Sequence, residues 1–223
     1  MWIFPLAAGV VSALFAARLG RAWLQRRRPN LACWCLALAM FAIASFSAAI
    51  GIAFGWSEGL FRSYYYFGAI ANVPLLGLGT IYLLADRKLA HLLGLVVLLA
   101  LVVAAARSLS AGLDPSGLAT SGIPAGRAVA PEGLRTLSRY YSFAGFFVVV
   151  GGALWSAARL MRAREPHLRR LAAANGLIAV GTFVVALGSG FARYGQGSVF
   201  AVGLLLGVVL MFAGFSMTRP RAG

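Results

Sequence analysis

The chain has 223 residues, of which 61% are hydrophobic and 11% charged, against roughly 25% charged in an ordinary water-soluble domain. Most of its surface therefore cannot face water, which excludes a soluble globular protein. A net charge of +15 would suit a nucleic-acid binder, but the basic residues stand in short clusters between apolar runs. Placed there they orient helices and meet anionic lipid, and nucleic acid is excluded as a partner.

Apolar runs of about 20 residues, enough to cross a bilayer, predict seven spans in one transmembrane domain over 1–223: an all-α, polytopic helical bundle. The first, 2–24, lacks a basic leader and a small-residue cleavage site, so it is expected to be retained. It ends in "AARLGRA" (16–22). The second, 32–55, opens with Cys33 and Cys35. Residues two apart on a helix face different sides, so these are read as inert thiols, with no shared metal and no bridge. The third, 62–85, carries Asn72-Val73-Pro74. Pro74 lacks an N–H and crowds the carbonyl four residues back, which predicts a kink around Ile70–Pro74. An amide beside a mid-membrane kink could build a ligand site or a pathway. The plainer reading, which is preferred, makes Asn72 and Asn175 glue between helices, worth about 0.6 kcal/mol each.

The fourth span is 89–107. The stretch 108–137 is rich in Gly, Pro, Ser and Ala, a composition that disfavours helix and strand, and is read as an extracytoplasmic loop. The fifth span, 138–160, closes with "AARLMRA" (157–163); the sixth is 168–190 and the seventh, 196–217, carries "GLLLG" (203–207). Small residues of this kind let helix backbones approach closely.

Counting Lys and Arg by side gives fourteen on one and six on the other. The positive-inside rule puts the larger group in the cytoplasm, with the N-terminus outside and the C-terminus inside. Both copies of the "AARL-RA" phrase then close an out-to-in helix at its cytoplasmic end, 141 positions apart. Spans 1–3 and 5–7 share one topology, with span 4 between them. This is a parallel 3+1+3 arrangement of the sort found in transporters such as the SWEET sugar carriers. Helix ends also converge on such words, so duplication stays open.

All five acids, Glu58, Asp86, Asp114, Glu132 and Glu165, and both histidines, His91 and His167, fall in loops or at span ends. Proton-driven carriers usually need an ionisable group mid-span, so that class is disfavoured, as is haem held by two histidines. The only lysine, Lys88, is at a span end, which closes a retinal Schiff base. With no HExxH, GxSxG or acid pair, catalysis is disfavoured, and neither a cofactor nor a metal is expected.

The polar constellation that stands out is the outer rim. Arg62, Arg107, Arg139 and Arg193 lie at the outer span ends beside Tyr64, Tyr65, Tyr140 and Tyr141. Arginine forks match phosphate and carboxylate, so this rim is a candidate site for an anionic lipid headgroup or acidic ligand. The alternative, which is favoured, is an ordinary snorkelling interface belt.

Four phrases, "YYYFGAIANVPLLGLGTIYLL" (64–84), "GGALWSAARL" (151–160), "AANGLIAVGTFVVALGSG" (173–190) and "AGFSM" (213–217), together resemble an uncharacterised family of seven-span membrane proteins from actinobacteria, over most of the chain. The resemblance implies a helical bundle in a bacterial plasma membrane and brings no activity or functional residues. A looser likeness is to the seven-span sensor domains of bacterial histidine kinases, from which this chain departs in carrying no kinase domain before Gly223. The resulting expectation is a non-enzymatic integral membrane protein that binds a lipid or small ligand. It would act as sensor, scaffold or accessory subunit, with anionic membrane lipids and either a second copy or another membrane protein as partners. The alternative is a facilitative transporter of small polar solutes, with a path past Asn72 and Pro74.

Overall fold

The computed structural model describes residues 1–118, 121–161, 165–193 and 197–217. Among them the chain is helical, with no strand. Seven helices are long and apolar enough to cross a membrane, so this is a multi-pass membrane protein. They are α1 (Ile3–Arg26), α2 (Pro29–Phe54), α3 (Glu58–Leu84), α4 (Arg87–Ser110), α5 (Glu132–Met161), α6 (Pro166–Arg193) and α7 (Gly197–Met217). Each overlaps one predicted span.

Local chemistry sets the boundaries. α1 stops where Arg27 turns left-handed (φ 51°) and its N–H bonds the Trp23 carbonyl at 2.7 Å. Pro29 then opens α2 at its first position, where a missing N–H costs nothing. Gly55, at φ 96°, ends α2; this backbone region is open to glycine and strained for other residues. Ser57 and Asp86 cap α3 and α4, accepting from the N–H groups of Leu60 (3.3 Å) and Leu89 (3.0 Å).

The helices close into a ring. α1 packs on α2, α2 on α3, α3 on α5, α5 on α6, α6 on α7, and α7 returns to α1. α4 stands outside this ring, against α3 and a little of α5, and is the least buried of the seven. Small residues set the closest approaches. Along α6 and α7, Gly203 lies against Gly188, Gly207 against the Gly181 carbonyl and Gly214 against the Ala174 carbonyl. The "GLLLG" pattern is thus one strip of a longer seam. Between α3 and α5, Gly145 meets the backbone of Val73.

The connection expected over 108–137 is shorter than its composition implies. α4 runs to Ser110, α5 begins at Glu132, and two single turns, Pro115–Leu118 and Gly126–Val129, lie between. Tertiary packing overrides composition here. Leu118, Val129 and Leu134 are buried together with Phe61 and Tyr65, and the Pro131 carbonyl takes the N–H groups of Leu134 and Arg135, both at 3.1 Å. Asp114 accepts from the Ser116 hydroxyl (2.7 Å) and N–H (2.9 Å), which holds its carboxyl below the usual carboxylate range. The connection lies over the helix ends. Trp56 Nε1 donates to the Gly122 carbonyl at 2.8 Å, Ile123 sits against Gly197 at the start of α7, and Gly126 against the Tyr65 ring. This end of the bundle is the loop face. The other end, with Arg26, Arg27 and Arg28 between α1 and α2, and Arg87 and Lys88 at the start of α4, is the basic face.

Candidate functional site

The mid-membrane feature the sequence singles out is built differently from its expectation. α3 runs as a π-helix over Tyr66–Ala71 and resumes α-helical geometry at Asn72. Pro74 can give no N–H to the carbonyl four residues back, Ile70, nor to the one five back, Ala69. The Ala69 carbonyl is served instead by two hydroxyls of α5, Ser138 and Ser142, each at 2.9 Å. Asn72 was expected to bond a freed carbonyl or a neighbouring helix. No hydrogen bond from its amide is found among the described residues, and its Oδ1, which could only accept from a neighbouring donor, is buried without a partner, the residue being 3% exposed. Two serines one turn apart reach the carbonyl from α5, and the amide is left over.

Asn175 does what was expected of it. Its Nδ2 donates to Ser156 Oγ at 2.8 Å, tying α6 to α5. That pair also borders a cavity between the ring helices, in the half nearer the basic face. All six ring helices contribute to its wall: Phe15 and Leu19 of α1, Trp34 and Leu38 of α2, Leu76 and Thr80 of α3, Val149 to Ser156 of α5, Asn175 and Ile178 of α6, and Met211 and Phe215 of α7. Phe15 packs against both Phe212 and Phe215, with ring centroids 5.1 and 5.2 Å apart. Trp34 lies flat against α3 because Gly79 has no side chain there; a Cβ would fall 2.3 Å from its indole.

The polar groups of this wall differ in how fully they are used. Trp34 Nε1 and Thr80 Oγ1 both donate to the Leu76 carbonyl, at 3.1 and 3.2 Å. Ser156 accepts from Asn175 and retains its own hydroxyl hydrogen, while Asn175 retains its amide oxygen. One donor and one acceptor are therefore available side by side in an otherwise apolar wall. Among the described residues no charged side chain lines the cavity. Burying an ion there without a counter-charge would cost several kcal/mol, so an uncharged occupant fits. Of these residues only Asn175 was singled out in the sequence. Trp34, Thr80 and Ser156 carried one usable signal: Trp34 and Asn175 are 141 positions apart, as are the two "AARL" phrases.

The outer rim does not converge in the same way. Arg62 donates to the carbonyls of Ser108 and, at 2.8 Å, of Ala111, and pairs with Glu58 at 3.5 Å. It closes the end of α4, where cations and donors meet unsatisfied carbonyls. Arg107 and Arg139 are exposed and make no side-chain hydrogen bond or ion pair among the described residues. Arg193 ends α6, and its side chain is outside the described residues. Tyr65 is buried and stacks on Phe61 at 5.4 Å, Tyr64 meets Trp56 edge-on at 5.4 Å, and Tyr141 donates to the Ala100 carbonyl at 3.1 Å. Tyr140 is 71% exposed. Three of the four tyrosines thus pack the bundle and the fourth points outward. Arg62→Ala should accordingly act on stability. Loss of two charge-assisted bonds to carbonyls is expected to cost about 2 kcal/mol, read as a lower thermal midpoint in detergent with Arg62→Lys intermediate.

In comparison with known proteins, the chain matches no family model and no curated protein.

Proposed function

We propose that this is a non-enzymatic integral membrane protein that binds a small uncharged molecule in the central cavity, which makes it a sensor or accessory subunit in a bacterial plasma membrane. One observation carries the reading. A cavity walled by all six ring helices carries, in a mostly apolar lining, one adjacent donor–acceptor pair that the fold leaves available, Ser156 and Asn175. A mostly apolar lining with a few placed polar groups is the chemistry of small-molecule sites. The ligand this wall suits has an apolar flank and one amide, hydroxyl or carbonyl group. The rim arginines act as interface anchors in this reading, and the basic face, by the positive-inside count, faces the cytoplasm.

Binding to the folded state alone raises stability with ligand concentration. A panel of uncharged amides and alcohols with an apolar flank should therefore contain members that raise the thermal midpoint of the wild type in a saturable way. Asn175→Leu should lose that response and Asn175→Gln keep part of it. Equal responses in wild type and Asn175→Leu would remove the cavity from the account.

Facilitated transport is the second reading, favoured by the ring itself. α4 stands outside a closed path of α1–α2–α3 and α5–α6–α7, as a 3+1+3 bundle would require.

A further inference from the structure

About one helical turn from cavity-lining residues, on α1 and on α3, stand two buried polar atoms without hydrogen-bond partners. Ser12 Oγ, in a residue 0% exposed, and Asn72 Oδ1, in a residue 3% exposed, are without hydrogen-bond partners. Ser12 shares a face of α1 with Phe15 and Leu19, and Asn72 precedes Leu76 and Thr80 by one and two turns of α3; all four of those residues line the cavity. Helix contacts place the two at one height. Gly9 meets Phe46 and Gly20 meets Cys35 across α1 and α2, while Gly68 meets Ala44 and Gly79 meets Trp34 across α3 and α2. Both registers bring Ser12 and Asn72 level with residues 40–43 of α2, where Phe41 is buried. Buried polar groups are almost always paired, so each exception asks for a cause. Two at one level, directly beyond a cavity, have a common cause if a hydrogen-bonding solute passes between them.

The geometry points to a transit station: Ser12 and Asn72 form the polar constriction through which small uncharged alcohols or amides pass between the cavity and the loop face. This rests on the cavity as the ligand site. Among the described residues the cavity wall has no charged side chain, and neither Ser12 nor Asn72 titrates, so the proposed movement is downhill and uncoupled to ions. In this structure the constriction is closed, and the Trp56–Gly122 and Ile123–Gly197 contacts hold the connection over the ring's end beyond it.

The test is stopped-flow light scattering on the full chain reconstituted in phosphatidylcholine vesicles, with glycerol, erythritol and urea as the probes. Wild type should equilibrate at least one probe tenfold faster than protein-free vesicles. Asn72→Leu and Ser12→Ala should each lose most of that gain, while Arg139→Ala keeps it. Thermal midpoints no lower than wild type would show that both variants fold, as expected when an orphaned polar group is removed. Should Asn72→Leu fail to fold, Ser12→Ala, which removes a single atom, carries the comparison. Unchanged flux in the folded variants, or no flux of any probe through wild type, would overturn the inference. Saturable, Asn175-dependent stabilisation without flux would leave the cavity reading standing and remove transit alone.

Discussion

Gly145→Ala is expected to lower the unfolding free energy by about 3 kcal/mol. A Cβ at this position would sit 2.5 Å from the Val73 carbonyl oxygen and 2.6 Å from its carbon. Both are backbone atoms, so no side-chain rotation relieves the clash and α3 and α5 must separate. Overpacking of this kind costs about 1–3 kcal/mol and occasionally more, and the upper end applies because helix movement also disturbs the adjacent hydroxyl bonds to Ala69. Gly151 is the internal control, with nothing within 4 Å of its Cβ position on the same helix. Gly151→Ala should be neutral or stabilising, by up to about 1 kcal/mol from helix propensity. Equilibrium unfolding in mixed micelles measures both. Equal effects at the two positions would show that α3 and α5 do not meet at Gly145.

The second large effect is expected from a pair of residues acting on one acceptor. Ser138 and Ser142 both donate to the Ala69 carbonyl. Losing either alone leaves it satisfied and should cost under about 1 kcal/mol. Losing both strands a buried carbonyl and should cost about 3 kcal/mol, well beyond the sum of the single changes. The chemistry also predicts a rescue. Pro74→Ala supplies an N–H where proline has none, and in the double variant it should restore part of the stability. Additive single effects, or no rescue, would mean that the π-helical run over Tyr66–Ala71 has another origin.

How much of this was legible beforehand depends on the kind of feature. Helix count and position were written in the apolar runs, because a bilayer demands length and hydrophobicity of each span independently. Pro74 marked the distortion of α3 from its missing N–H alone. The partner of the freed carbonyl was not legible, since Ser138 and Ser142 meet it only after α5 folds against α3, some 70 residues later in the chain. The same limit applies to the site. Asn175 was visible as a mid-span amide, but Trp34, Thr80 and Ser156 are unremarkable on their own helices and become a wall only when the ring closes. The rim shows the converse. Arginines and tyrosines clustered at span ends in the sequence look like one cradle, yet Arg62 is committed to the end of α4 and Tyr141 to the Ala100 carbonyl. Clustering along the chain fixed their depth and not their direction. The start of α5 at Glu132 was hidden for a related reason: Leu134 gains its burial from Phe61 and Tyr65 of a distant helix.

On the proposed function, the ring holds a small uncharged molecule in its cavity. Native mass spectrometry of the protein extracted gently from its own membrane tests this most directly, with wild type beside Ala153→Phe, whose ring would occupy the cavity space that the 8% exposed alanine borders. A discrete bound species of low mass is expected on the wild type, absent from the filled variant and retained by Arg62→Lys. Wild type and Ala153→Phe carrying the same adducts, or both carrying none, would contradict it.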